Sequence, residues 1–358
     1  MEINNKVAVI TGAASGIGRA VATELAKRQV RAIAMVDLTD KVETVAAEVN
    51  AEAGANVAFP FRGDTTDADF RATVFDAISA QHGLVSICVP AAGITRDDLA
   101  VRIDKASGKV RIYPTDLFRQ VLEVNLVAPV YWALEMVARI AEDRYARGAK
   151  RWVPEERVQG TVVFIGSISS QGNKGQISYA STKAGLEGAA ATLMKEAIFY
   201  GVRCGVIHPG FTDTPMVRAL GEDYINKHVL PFTQLGRLIR PEEIADAICF
   251  MIANSAVSGE LWADAGWHAP ACSTPTQVRS RKTTKALPST LAGGAPNTAS
   301  VAVALRYRYA ARRRPMAARP ASALASRSTG AGTGTPDTLA TTEPLTVRVS
   351  SNVNCAMS

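Results

Sequence analysis

The stretch Lys6-Val-Ala-Val-Ile-Thr11 runs directly into Gly12-Ala-Ala-Ser15-Gly16-Ile17-Gly18, and a helix-forming segment, residues 19–28, follows. Consecutive apolar residues read as a strand buried on both faces. Three glycines behind it allow a tight turn and a close approach of main chain to another group. The N–H groups and positive dipole at the start of the next helix suit an anion, so strand, turn and helix together make a cradle for a pyrophosphate. Taken alone, a glycine triplet also fits an ordinary tight turn.

The next apolar run, Ala32-Ile-Ala-Met-Val36, ends in Asp37, which lies 19 residues beyond Gly18. A carboxylate at that place accepts hydrogen bonds from an adenosine ribose, and its charge repels a 2′-phosphate. NAD(H) is therefore favoured, NADP(H) remains possible, and Lys41 moderates the preference. Strand patterns near residues 6–10, 32–36, 57–61, 84–89, 161–165, 202–207 and 260–263 alternate with helical ones. This alternation predicts an α/β fold, a Rossmann-like doubly wound parallel sheet in one domain over residues 1–269, with its site at the carboxyl ends of the strands.

Tyr179 and Lys183 stand four residues apart in Ser-Tyr-Ala-Ser-Thr-Lys, so one helical turn sets a phenol beside an ammonium. A cation within about 4–6 Å favours a phenolate and draws the tyrosine toward neutral pH, although such pairs also occur on solvated helix faces.

Together these motifs resemble the short-chain dehydrogenase/reductase family over residues 1 to about 269, nearest to the 3-oxoacyl-[acyl-carrier-protein] reductases. The resemblance rests on Thr11-Gly12-x-x-x-Gly16-x-Gly18, Asp64 after the third strand, Ala91-Ala92-Gly93 after the fourth, Asn125, Ser167, Tyr179-x-x-x-Lys183 and Pro209-Gly210 with Thr214, in that order. It implies that Tyr179 exchanges a proton with the substrate oxygen, that Ser167 holds the same oxygen, and that Lys183 lowers the tyrosine pKa and binds the nicotinamide ribose. Asn125 would steady a water linking the lysine to solvent. Thr11, Gly12, Ser15, Gly16, Ile17, Gly18, Asp37, Leu38, Asp64, Thr65, Ala91, Ala92 and Gly93 would line the cofactor. Pro209, Gly210, Thr212 and Thr214 would clamp its carboxamide.

Two departures from the family pattern stand out. Ser167 precedes Tyr179 by 12 residues, one fewer than the common form, which keeps Ser169 as an alternative. Pro90 stands where asparagine is usual, and proline brings neither an N–H nor a side-chain amide.

The segment 215–240 resembles a mobile lid, and its Met216, Val217, Leu220, Tyr224, Val229, Leu230 and Phe232 suit a carbon chain, with Arg218 and Lys227 available to an anionic carrier. A 3-oxoacyl thioester is the first substrate expected. Another secondary alcohol such as a sugar or steroid, or a non-catalytic NAD(H)-binding scaffold, is the alternative. Residues 102–115 suggest a hairpin and 144–160 a charged extension. Continuous helices are expected at 116–142 and 177–200, where small residues Ala184, Gly185, Gly188, Ala189 and Ala191 suit the homodimer or homotetramer implied by the family.

No metal site is expected. His208 lacks an acidic partner at ligand spacing, and His82, His228 and His268 form no ligand pattern. Five cysteines without paired spacing fit a reducing compartment, no apolar run approaches the ~18 residues of a membrane span, and no signal peptide is visible, so the expected location is cytoplasmic. Residues 270–358 carry 12 Lys/Arg against 2 Asp/Glu, which puts +10 of charge there and leaves about −3 for residues 1–269. Rich in Ala, Ser, Thr, Pro and Gly, this basic tail is expected to be disordered, with nucleic-acid contact or readthrough beyond the domain as alternatives.

Overall fold

The computed structural model describes residues 1–267. The boundary at 269, the basic tail, His268, Cys272 and Cys355 lie outside the described residues. Strand β1 (Val7–Thr11) is buried at every position, and helix α1 (Gly16–Lys27) packs Ala22, Leu25 and Ala26 inward. β2 (Ala32–Asp37) leads to α2 (Lys41–Ala53), whose Val42, Val45, Ala46 and Val49 form the i, i+3, i+4, i+7 stripe of a surface helix. Gly54 ends α2 with φ +63°, a left-handed cap that suits glycine.

β3 (Ala58–Arg62) precedes α3 (Ala68–His82), and β4 (Val85–Pro90) is again wholly buried. The expected hairpin is β5 (Val101–Ile103) paired antiparallel with β6 (Val110–Ile112), both exposed. Tyr113 tethers it: its hydroxyl donates to the Arg96 carbonyl at 2.5 Å and lies 3.0 Å from Ser178 Oγ.

The helix expected at 116–142 is divided. α4 (Thr115–Leu122) passes through a π turn, Glu123–Val127, into α5 (Ala128–Ala146). Pro129 is the physical reason, since it cannot donate the i→i−4 bond to Asn125. By length and composition the segment Thr115–Ala146 could cross a bilayer, although no unbroken apolar run in it reaches ~18 residues. Its apolar side instead packs into the core through Trp132, Ala133, Met136 and Ile140.

The charged extension after α5 is pinned where buried Arg144 makes two contacts with Glu156, at 2.5 and 3.1 Å, and donates to the Lys150 carbonyl at 3.0 Å. The chain continues through β7 (Gly160–Ile165), α6 (Ile177–Ala197), β8 (Val202–Pro209), α7 (Pro215–Arg218), α8 (Glu222–His228), α9 (Pro241–Ala253) and β9 (Gly259–Ala263).

All seven long strands are parallel, in the order β3-β2-β1-β4-β7-β8-β9. One apolar layer lies under α1, α2 and α9, and another under α3, α5 and α6. The strand order reverses between β1 and β4, which opens a crevice at their carboxyl ends. Near Pro90 the β4–β7 ladder is short: it pairs only Ile87 with Thr161 and Cys88 with Val162, where β7–β8 has six pairs. The described cysteines Cys88, Cys204 and Cys249 are free and buried, and burial raises all three thiols.

α3 begins at Asp67, whose carboxylate accepts from the N–H groups of Asp69 and Phe70 at 2.8 and 3.1 Å. Asp67→Ala should therefore lower stability by about 1 kcal/mol. The check is a shifted urea midpoint at unchanged slope; an unmoved midpoint would show that the cap contributes nothing.

Candidate active site

The crevice is a cleft of about 530 Å³ floored by the glycine turn. Gly12 has φ +65°, and a Cβ there would stand 2.8 Å from Ala92 Cα; a Cβ on Gly18 would stand 2.3 Å from the Gly12 carbonyl oxygen. Only glycine permits these approaches. Ser15 begins α1 without a side-chain cap, and no acidic residue occupies the first turn, so the positive end of the helix meets the cleft uncompensated.

Gly12, Ser15, Gly16, Ile17 and Gly18 line the cleft floor, Asp37 and Leu38 one end, and Asp64, Thr65, Ala91, Ala92 and Gly93 its wall. Asp37 is held in place, its carboxylate accepting from Ala14 N–H at 3.0 Å and from Thr39 N–H and Oγ1 at 3.0 and 2.9 Å. Trp132, which sequence reasoning missed, fixes the wall from behind by donating to the Thr65 carbonyl at 2.9 Å. Thr11 is buried behind the lining, where its hydroxyl accepts from Ala92 N–H at 3.1 Å. Pro209 and Thr212 also stand back from both cavities, while Thr214 lines the cleft opposite Gly16. Uncapped helix end, fixed carboxylate and cavity size fit a nicotinamide dinucleotide.

Tyr179 and Lys183 stand at the inner end, where the cleft meets a smaller pocket of about 100 Å³ lined by Ser167, Gly210, Met216, Val217 and Leu220. Ser167 and Tyr179 both line the smaller pocket and Ser167 draws the phenol's pKa down, whereas Ser169 donates to Gln176 Oε1 at 2.9 Å. The Ser169 hydroxyl is thereby engaged by Gln176, while Ser167 is the serine that acts on the phenol's ionisation. Lys183 Nζ is buried, donates to the Ile165 carbonyl at 2.7 Å, and lies 5.4 Å from the centre of the Tyr179 ring.

The expected pull of the lysine on the phenol is not found. Burial pushes Tyr179 up to about 12, opposed by Ser167 and assisted by the Asp97 carboxylate. Burial also brings the Lys183 ammonium down to about 8. The amine loses its proton first, so it is neutral by the pH at which the phenol ionises and exerts no Coulombic attraction there.

Asn125 is buried within the π turn, and its whole side-chain amide grips one loop residue: Oδ1 accepts from Ile94 N–H at 2.8 Å and Nδ2 donates to the Ile94 carbonyl at 2.9 Å. Its main-chain carbonyl lacks the usual α-helical donor, because Pro129 has no N–H.

The lid divides its apolar residues. Met216, Val217 and Leu220 face the small pocket. Val229 is buried with Ile225 and Leu238 in a cluster that Leu230 and the other side of Val217 join, Phe232 meets Trp267, and Tyr224 lies against His228 with the rings tilted by 40°. Arg218, expected to meet an anionic carrier, is held by Asp213 at 2.6 and 2.7 Å and by Glu222. Arg96 and Gln120 line the cleft and Asp97 and Gln176 the pocket, though no sequence motif marks them.

Residues 6–225 match the family model described as short chain dehydrogenase. Among curated proteins, the 3-oxoacyl-[acyl-carrier-protein] reductase FabG of Escherichia coli is 33% identical over 263 residues, covering 73% of this chain and 96% of the relative. The acetoacetyl-CoA reductase of Synechocystis is 33% identical over 273 residues, covering 74% and 97%. The (3R)-3-hydroxyacyl-CoA dehydrogenase of Canis lupus familiaris is 30% identical over 263 residues, covering 71% and 92%. A crystal structure of a short-chain type dehydrogenase/reductase from Mycobacterium marinum shares the fold, with TM-score 0.63 and 24% identity over 75% of this chain and 98% of that one.

Since desolvation disfavours the charged form, Lys183 should be an ammonium below pH 8 and a neutral amine above it. A lysine-selective NMR titration, with Lys183→Arg used for assignment, should show the Lys183 signal with its inflection near 8. A Lys183 inflection above 10 would contradict the desolvated ammonium.

Proposed function

This chain belongs to the short-chain dehydrogenase/reductase family, and we propose that within it the protein reduces 3-oxoacyl thioesters to 3-hydroxyacyl thioesters with NADH. As a family member it is an oxidoreductase that uses a nicotinamide cofactor at carbonyl and hydroxyl carbons. One observation carries the finer reading. Tyr179 borders both the large cleft and the small pocket, which is the position a proton donor needs between cofactor and substrate. The printed activities of three relatives share a 3-oxoacyl or 3-hydroxyacyl thioester, which supports the substrate class.

When bound, the reduced nicotinamide supplies a hydride to the carbonyl carbon. Ser167 and Tyr179 receive the carbonyl oxygen in this reading, and the Tyr179 hydroxyl gives its proton as negative charge develops there. A phenol raised to about 12 keeps that proton at neutral pH, while an alkoxide is basic enough to take it. Lys183, charged below about 8, would hold a ribose hydroxyl of the cofactor and is the ammonium from which the phenolate would regain its proton. The Asn125 carbonyl steadies the water that recharges the lysine. Thr214, which lines the cleft, would hold the carboxamide. Met216, Val217 and Leu220 cover the acyl chain, and Arg96 offers a cation at the mouth for an anionic carrier. The fixed Asp37 carboxylate supports NADH over NADPH by repelling a 2′-phosphate. The solvent-open small residues Gly188 and Ala191 on α6 support assembly with a second copy, whereas Gly185 packs against Leu126 of its own chain.

Purified protein should oxidise NADH in the presence of acetoacetyl-CoA. Tyr179→Phe should keep NADH affinity while turnover falls about 10³-fold; full turnover in that variant would exclude the proposed acid, and activity only on other ketones would exclude the thioester. Asp37→Ser should shift the ratio of kcat/KM for NADPH over NADH upward by about tenfold or more. An unchanged ratio would place cofactor choice elsewhere.

A further inference from the structure

Away from the cleft, three side chains distant in sequence meet at the margin of the sheet. His208 lies on β8 without exposed surface, Glu260 on the edge strand β9 and Glu187 on α6. The expectation that His208 lacks an acidic partner is corrected here, because topology supplies two. Its Nε2 stands 3.6 Å from a Glu260 oxygen and 3.9 Å from a Glu187 oxygen. Register explains the meeting: Val206 pairs with Glu260 and His208 with Trp262, so both side chains project to one face of the sheet, the face that α6 covers.

The imidazole is held in a fixed plane. Trp262 stacks on it at 4.2 Å and 12°. Gly166 leaves the room, since a Cβ there would lie 2.6 Å from Nδ1. Nδ1 accepts from the Ser167 N–H at 3.3 Å in one tautomer and donates to the Ser167 carbonyl at 3.2 Å in the other. By contrast Nε2 is buried with no hydrogen-bond partner. It faces two carboxylates that repel each other, and neither has another ion-pair partner among the described residues. All three donor atoms lie within 4.8 Å of one another. The nitrogen–oxygen separations exceed the roughly 2.7–3.2 Å of a hydrogen bond. They approach the edge of about 3.4 Å that joins two ligands of a tetrahedral ion bound at about 2.1 Å.

We propose that Glu187, His208 and Glu260 form a binding site for a divalent transition-metal cation, zinc being the best match, with a remaining position taken by water. An imidazole nitrogen among the donors selects against magnesium and calcium, whose sites are built from oxygen. In the tautomer whose Nδ1–H donates to the Ser167 carbonyl, the Nε2 lone pair is left for the metal, the usual arrangement behind a ligating histidine. Glu187 and Glu260, with side chains 30% and 45% exposed, open the path of entry. The cation would staple α6, β8 and β9 together. Through His208 and the Ser167 main chain it would also steady the serine beside Tyr179, so these three are positioning residues.

The test uses the full chain, stripped with a chelator and titrated with Zn²⁺ by calorimetry, with Co²⁺ as a spectroscopic probe. One equivalent should bind, and Co²⁺ should give the visible absorption of a tetrahedral site. Glu187→Gln combined with Glu260→Gln should weaken Zn²⁺ at least tenfold while leaving the circular dichroism of the metal-free protein unchanged. His208→Asn should do the same where it folds; the glutamine pair lies on exposed side chains and serves if it does not. Absence of stoichiometric Zn²⁺ on the parent protein, or equal affinity in the double variant, would overturn the site. Tighter binding of Ca²⁺ than Zn²⁺ would overturn the choice of metal.

Discussion

Main chain meeting main chain at the end of β1 is the constraint on which the rest depends. With the Gly12 carbonyl where a Gly18 Cβ would be, and Ala92 against Gly12, strand, helix and the loop after β4 converge to a depth no side chain allows. That convergence exposes the uncapped start of α1 to the cleft, and it lets Thr11 tie Ala92 directly. The position of the reversal in strand order does the remainder, delivering loops from both halves of the sheet to one crevice. Even the weak point at Pro90 is compatible with this arrangement, because the loop that follows is anchored through Thr11 on one side and Asn125 on the other.

Around that crevice the protein uses burial more than charge pairing to set its ionisations. Desolvation acts in opposite senses on an acid and on a base, so a single apolar environment separates the phenol from the amine. Charge pairing is used instead where segments must be tied down: Arg144 with Glu156 behind the extension, and Arg218 with Asp213 and Glu222 on the lid.

Much of this was legible in the sequence because the signals are local. Buried parallel strands are continuous apolar runs, and the seven predicted from such runs agree with the observed strands to within a residue or two. Glycine spacing located the turn, and the four-residue spacing of Tyr179 and Lys183 set both on one helix face bordering the cleft. What escaped notice depends on contacts between distant segments. Pro129 interrupts a helix whose composition is otherwise uniform. Gln176 and Asp97 carry no motif and reach the pocket through packing. The apolar residues of this segment look alike in sequence, and only the fold shows that Met216 and Leu220 face the pocket, Val229 and Leu230 the Ile225 cluster, and Val217 both. His208 met its carboxylates through strand register and helix placement, neither of which spacing along the chain encodes.

The order in which Lys183 and Tyr179 ionise has a consequence for how the proposed proton-transfer pair experiences its surroundings. Between mild acidity and mild alkalinity only the nitrogen changes state, while the oxygen keeps its hydrogen throughout. The couple therefore resembles a reservoir feeding a valve: the external medium sets how full the reservoir is, and the valve opens only when chemistry inside the cleft calls for it.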